Sequence, residues 1–206
     1  MAHNPFDSLT SEYEKWFIEN GNLFQSELLA LKQVVPVGKK GVEIGIGSGI
    51  FAEKLGIQSG IDPSEKMLAI ARKRGRNVVK GVAENLPYPN ASFDYATFIT
   101  SICFIDNPGK AIMEAHRILK PKGEIIIAII DKATTFGKFL EKGKEKSKFY
   151  KHANFFAASE IINLVESKHF NVTDIYQTLK NPGNTEIEQP VQGFGKGSFV
   201  VIKGVK

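Results

Sequence analysis

Hydrophobic positions along this 206-residue chain change their period near residue 40. Before that point Leu9, Tyr13, Trp16, Phe17, Phe24, Leu28 and Leu31 recur close to every 3.6 residues, the spacing of an amphipathic helix. The pattern predicts helix over 7–35, broken at Asn20-Gly21-Asn22 and ended by Pro36 and Gly38. After it, short apolar runs alternate with helical ones. Strands are expected at 41–44, 77–80, 93–100 and 124–130, with another ending at 59–62; helices are expected over 50–56, 64–74 and 107–119. Ser64 stands where a helix N-cap belongs, and Asn107-Pro108 places a cap before a proline at the first helical position. Pro121-Lys122-Gly123 reads as a turn. Strands separated by helices at this rhythm make βαβ units and a mainly parallel sheet. The tail differs: a helix over 159–167, a strand over 170–178, a Gly/Pro/Asn loop and a strand over 198–203. Two strands with no helix between them should pair antiparallel.

Composition narrows the class. Hydrophobic residues are 42 % and charged residues 24 % of the chain, ordinary for a folded domain and too apolar for general disorder. No apolar run approaches the roughly 18 residues needed to span a bilayer, so membrane insertion is not expected. Residues 1–10 lack the basic-then-apolar pattern of a secretion signal, and the single Cys103 leaves no partner for an intramolecular disulfide. Both features fit a reducing, cytoplasmic compartment. The length suits one domain.

The net charge of +5 comes from 27 Lys and Arg against 22 Asp and Glu, with only Arg72, Arg74, Arg76 and Arg117 as arginines. Readers of nucleic-acid bases lean on arginine for bidentate contacts, so this lysine excess reads first as surface solvation and second as a polyanion partner. Lys138, Lys142, Lys144, Lys146, Lys148 and Lys151 concentrate in one stretch, interleaved with Phe139, Phe149 and Tyr150. Following the 124–130 strand, it falls on the side of the sheet where open α/β folds bind ligands. It is either a solvated helix surface or a lid.

The informative segment is Val42-Glu43-Ile44-Gly45-Ile46-Gly47-Ser48-Gly49, a strand running into glycines that open a helix. Glycine lets the backbone turn sharply and lets a ligand approach without a Cβ in the way. The spacing is G-x-G-x-G, not the G-x-G-x-x-G of dinucleotide sites, and no G-K-[ST] follows, which excludes a P-loop. Glu43 adds negative charge beside the loop, which suits an ammonium or sulfonium better than a pyrophosphate. Asp62, 17 residues after Gly45, ends the next strand, where a carboxylate can accept two ribose hydroxyls. Without a ligand, the glycines would be a tight turn and Asp62 a helix-entry acid. Taken together they point to an adenosine-containing cation.

Five ordered stretches over 41–130 carry a resemblance: 42–49, Gly60-Ile61-Asp62-Pro63-Ser64, 81–88 (GVAENLPY), Ser92-Phe93-Asp94, and 116–123 (HRILKPKG). In these the chain resembles class I S-adenosylmethionine-dependent methyltransferases of the ubiquinone/menaquinone-biosynthesis-like branch. The resemblance extends more weakly to Tyr13-x-x-Trp16 and the closing strands. It implies a Rossmann-like, seven-stranded, mainly parallel α/β sheet with its last strand antiparallel, helices on both faces and an N-terminal helical cap. It divides the single domain into a cap (1–36), a cofactor-binding core (37–131), a Lys/aromatic lid (132–158) and a C-terminal helix with a strand pair (159–206). It implies S-adenosylmethionine as cofactor, with Gly45, Gly47 and Gly49 against its methionine portion and Glu43 nearby. Asp62 would take the ribose, Pro63 or Met67 the adenine face, Ala83 and Glu84 the adenine edge, and Thr100 and Ser101 the methyl-transfer region. Val82 departs from the family, which often has Asp there.

Methyl transfer from a sulfonium is a backside displacement that alignment and water exclusion can largely accelerate. A base is required only where the acceptor must lose a proton. Tyr13 and His152 are the candidate catalytic side chains; Trp16 shares a helix face with Tyr13, and both could equally be core. His116 and His169 read as structural, Cys103 as a buried small residue, and no histidine spacing suggests a metal. Ser101-Ile102-Cys103-Phe104 stands where methyltransferases acting on base amino groups resemble one another in N/D-P-P-Y/F, and no Pro-Cys nucleophile is present. A small-molecule acceptor is therefore expected. The alternatives are RNA or protein held by 138–151, and a non-catalytic S-adenosylmethionine-binding protein; the glycine spacing speaks against an NAD oxidoreductase. Nothing in the sequence sets an oligomeric state.

Overall fold

The computed structural model describes residues 5–181, 183 and 186–206. Helices α1 (Thr10–Glu19) and α2 (Gly21–Lys32) meet at Asn20, where the break was expected. There follow β1 (Gly41–Ile44), α3 (Ile50–Leu55), β2 (Ser59–Asp62), α4 (Glu65–Lys73), β3 (Asn77–Lys80), β4 (Phe93–Ile99), α5 (Pro108–Ile118) and β5 (Leu119–Ile130). The remainder comprises α6 (Thr135–Gly143), α7 (Ala158–Glu166), β6 (Asn171–Thr178), β7 (Val191–Gln192) and β8 (Phe199–Val205).

Among the described residues the strands form one sheet in the order β3-β2-β1-β4-β5-β8-β6-β7. Strands β1 to β5 pair in parallel; β8 slots antiparallel between β5 and β6. This is the Rossmann-like α/β arrangement, with an eighth strand because two residues, Val191 and Gln192, pair with the outer edge of β6. The order reverses between β1 and β4. Loops leaving neighbouring strands in opposite directions open a crevice there, so the site belongs at the ends of β1 and β4.

Alternation along the strands sends side chains to two cores. Ile125, Ile127 and Ile129 join α5 and α7 on one face; Ile126 and Ala128 join α1, α2 and α3 on the other. The caps follow the local chemistry: Ser64 Oγ accepts from Met67 N (3.2 Å), and Asn107 Oδ1 from Lys110 N (2.9 Å). The expected turn at Pro121-Lys122-Gly123 is instead a bulge within β5, with Lys122 at φ +63° and register lost between the pairs Phe93–Leu119 and Tyr95–Glu124. No helix of the described residues is long and apolar enough to cross a membrane.

Candidate functional site

The crevice is built on the glycine loop. Gly45, Gly47 and Gly49 adopt φ of +77°, +52° and +76°, the left-handed region that a side chain resists. The N–H groups of Gly45 and Ile46 both donate to the Ile61 carbonyl (2.8 and 3.0 Å), which ties the loop to β2. A Cβ on Gly45 would stand 2.4 Å from that of Ser101, whereas one on Gly47 would meet only the Tyr13 hydroxyl, at 3.8 Å. Gly45 is thus required by packing, and Gly47 by an open approach. Ser101 itself donates from Oγ to the Ile44 carbonyl at 2.7 Å, so it braces the loop from behind.

Asp62 closes the second side. Its Oδ2 accepts from Gly47 N (2.9 Å) and its Oδ1 from Ser64 N (2.8 Å). Burial lifts its carboxyl above the usual range against the pull of those two N–H groups. Glu43 is 2 % exposed, and its Oε2 has no partner among the described residues. Burial, reinforced by Asp62, pushes its carboxyl well above the ordinary value. Ser48 Oγ and Thr97 Oγ1 are likewise buried without a partner, and Thr97 is the register neighbour of Glu43. A crevice holding two buried acids and orphaned polar atoms calls for a polar, cationic occupant.

An aromatic roof covers the loop. Tyr13 packs edge-on against Phe6 (6.0 Å) and Phe17 (5.0 Å), while Phe149 lies against both Phe6 (6.3 Å) and Tyr13 (6.5 Å). Phe104, just beyond β4, touches Phe6 (5.1 Å) and stacks on Tyr150 (6.3 Å). The chain before α1 is pinned by Asp7, whose Oδ1 accepts from Ser64 Oγ at 2.5 Å. Arg74 clamps the other end, donating to the Ser48 carbonyl (2.8 Å) and pairing with Glu14 of α1. Tyr13's phenol is raised far above its normal value by burial first, then by Glu43 and Asp62. Its hydroxyl is therefore held protonated, able to donate a hydrogen bond.

The structure distributes the remaining candidates unevenly. Met67 is fully buried at the start of α4 and Pro63 is exposed beside it. Ala83 is buried; Glu84 Oε1 accepts from Asn107 N (3.1 Å), so it holds the loop before α5. Thr100 sits at φ +49° directly after β4 and lines a small cavity. His152 is exposed, as is Lys151, in the turn between the half-buried Tyr150 and the buried Ala153. Trp16 packs edge-on against Phe17 (5.1 Å), the ring that Tyr13 also meets. Sequence reading missed Phe6, Asp7, Phe104 and the Arg74–Glu14 clamp. Among the described residues no cluster of three or more His, Cys, Asp or Glu could hold a metal ion.

Similarity to known proteins agrees with this geometry. The Methyltransferase domain family matches residues 42–127. The chain is 46 % identical to a Thermotoga maritima S-adenosylmethionine-dependent methyltransferase, described as a possible histamine N-methyltransferase, whose crystal structure superposes with a TM-score of 0.95 over 98 % of both chains. An uncharacterized protein of Methanocaldococcus jannaschii is 42 % identical over 98 % of this chain and 99 % of its own. Demethylmenaquinone methyltransferase of Staphylococcus haemolyticus is 26 % identical over 75 % of this chain and 78 % of its own. The glycine loop, the acid that ends β2 and these relatives agree: the chain belongs to the class I S-adenosylmethionine-dependent methyltransferases.

Proposed function

We propose that this protein transfers the methyl group of S-adenosylmethionine to a small molecule, mainly by alignment and exclusion of water. The observation that carries this is the joining of Gly47 N–H to the Asp62 carboxylate beneath a roof of five aromatic rings. The residues fit the cofactor. Gly47 leaves backbone uncovered, Asp62 keeps lone pairs for ribose hydroxyls, and Glu43 offers an unpartnered buried oxygen toward positive charge. Pro63, Met67, Ala83 and Glu84 surround the position where the adenine would lie, and Gly45, Gly49, Thr100 and Ser101 shape the methionine and transfer end. When bound, the cofactor supplies an activated methyl on a sulfonium.

The chain's own residues then do three things. The acids Glu43 and Asp62 stabilise positive charge in the crevice. Tyr13 presents a hydroxyl donor and a π-face over Gly47. The aromatic roof keeps water from the reacting line, which strengthens each electrostatic contact. Residues 132–158 act as the lid, the helices before residue 36 as the cap, and the lone thiol fits a cytoplasmic setting. A second reading rests on exposed Lys138, Lys142, Lys146, Lys148 and Lys151 around Phe139, which is 69 % exposed. Those residues would dock an anionic RNA or protein acceptor, with binding that falls steeply with salt.

Calorimetric titration with S-adenosylmethionine, S-adenosylhomocysteine and NAD tests the assignment. Saturable binding of the first two, with NAD silent, is the expected result. Binding of NAD alone overturns it, and binding without turnover of any acceptor moves the protein to a cofactor-binding role.

A further inference from the structure

Beneath the roof lies one group that the methyl-transfer reading does not use. Glu27 is on the inward stripe of α2, with Phe24 one turn before it and Leu31 one turn after. It is 5 % exposed and has neither a hydrogen bond nor an ion pair to any described residue. Burial alone pushes its carboxyl up to about 8. Its charge is felt at Tyr150, whose phenol is raised by burial, by Cys103 and by Glu27. No positive side chain acts on Glu27. The lysines of 138–151 are mostly exposed, and Lys144 Nζ instead donates to the Ala153 carbonyl at 3.0 Å.

Tyr150 connects this acid to the crevice. Its ring lies parallel to Phe104 and 5.3 Å from Phe155. With Thr100, Cys103, Ile129 and Ile130 it lines a cavity of about 20 Å³ at the carboxyl ends of β4 and β5. Tyr13 and Tyr150 are also within electrostatic reach of each other. A buried carboxyl without a partner costs stability, and such groups gather where a ligand completes them. Aromatic walls with one acid behind them recognise an organic cation: the rings attract it by their faces, and the acid balances its charge.

We propose that Glu27, together with the ring of Tyr150, selects a methyl acceptor that carries a positively charged amine. This rests on the methyltransferase reading and specifies its substrate class. Glu27 is a specificity-determining residue, holding the cationic end of the acceptor and leaving the displacement to the crevice. The cavity as it stands admits about one water, so the acceptor enters by displacing the Phe149–Tyr150 turn.

The test uses the full chain saturated with S-adenosylhomocysteine, titrated with phenethylamine, benzyltrimethylammonium and, as their neutral match, 2-phenylethanol. At least one cation should bind tenfold or more tighter than the alcohol, and Glu27→Gln should abolish that preference while leaving S-adenosylhomocysteine affinity unchanged. Tyr150→Phe should keep the preference and Tyr150→Ala lose it. If Glu27→Gln does not fold, Glu27→Met replaces it, and its melting temperature should rise because a partnerless buried acid has gone. Equal binding of alcohol and cations, binding of none of them, or a preference that survives loss of Glu27 overturns the inference while the methyltransferase reading stands. Failure of the wild type to bind S-adenosylhomocysteine overturns both.

Discussion

The backbone N–H of Gly47 donates to Asp62 Oδ2 at 2.9 Å, so the glycine loop and the acid at the end of the neighbouring strand form one unit. Asp62 therefore shapes the loop as well as offering itself to a ribose. Asp62→Asn preserves one carbonyl oxygen and removes the charge. A charge-assisted hydrogen bond is worth about 1.5–3 kcal/mol, so affinity for S-adenosylmethionine should fall roughly 10- to 100-fold. Asp62→Ala should lose binding and also some stability, since Gly47 N–H and Ser64 N–H both lose their acceptor. Calorimetry alongside thermal melting separates the two effects; unchanged affinity in Asp62→Asn would remove the ribose role.

Two glycines of the same loop should fail differently. In Gly45→Ala the new methyl runs into the Ser101 side chain, and overpacking of that kind costs about 1–3 kcal/mol of stability. In Gly47→Ala the new Cβ meets nothing closer than the Tyr13 hydroxyl, at 3.8 Å, so it should stay folded with only the cost of its positive φ, and should weaken cofactor binding by narrowing the approach. Denaturant midpoints and calorimetry on both variants check the contrast.

The Arg74 clamp predicts an effect at a distance. Arg74→Met keeps the stem but releases the Ser48 carbonyl and Glu14, which joins α1 to the loop. The melting temperature should fall by a few degrees, in line with the loss of one or two partly buried charged hydrogen bonds, and S-adenosylmethionine affinity should drop about 3- to 10-fold as the loop loosens.

Stability should decline toward alkaline pH. The Glu27 carboxyl titrates at about 8 in the folded chain against an ordinary 4.5, so between those values the folded state holds a proton that the unfolded state has lost. Stability thus falls as pH rises through that window, by an amount on the order of 5 kcal/mol for this group alone. Glu43 and Asp62, also raised, act in the same direction. Denaturation at pH 5 to 9 should show this slope, and Glu27→Gln should make it shallower by that group's share.

Tyr13→Phe separates packing from chemistry. The ring contacts with Phe6, Phe17 and Phe149 remain, so melting should be unchanged. A lower kcat at unaltered cofactor affinity would identify the hydroxyl as a donor acting in the transition state; identical kinetics would leave the ring alone as its contribution.

Much of this architecture is legible in the chain because local chemistry decides it. Ser64 and Asn107-Pro108 announce their helices, the left-handed backbone at Gly45, Gly47 and Gly49 demands glycine, and Ile125 to Ile129 alternate between two cores. The roof is not legible in the same way. Phe6, Phe104 and Phe149 come from three distant segments, and an isolated aromatic has no spacing to mark it. Glu27 reads as a polar residue on a helix, and only the fold shows that it faces inward. His152 shows the converse: proximity in sequence to Tyr150 does not say which residue of a turn is covered, and His152 is exposed. The bulge at Lys122 arises from pairing to β4, a non-local event.

Among the described residues, the strand that fills the gap between β5 and β6 comes later in the chain than any other. Everything that builds the crevice, from the glycine loop to the Thr100 bend, is already translated when β5 still presents the open edge of an isoleucine-rich ribbon. Until β8 arrives, that edge is a template for any other extended chain. A chain that ends before β8 therefore carries every crevice residue named above but leaves the β5 edge unpaired, so such a truncation should aggregate before it loses its cofactor residues.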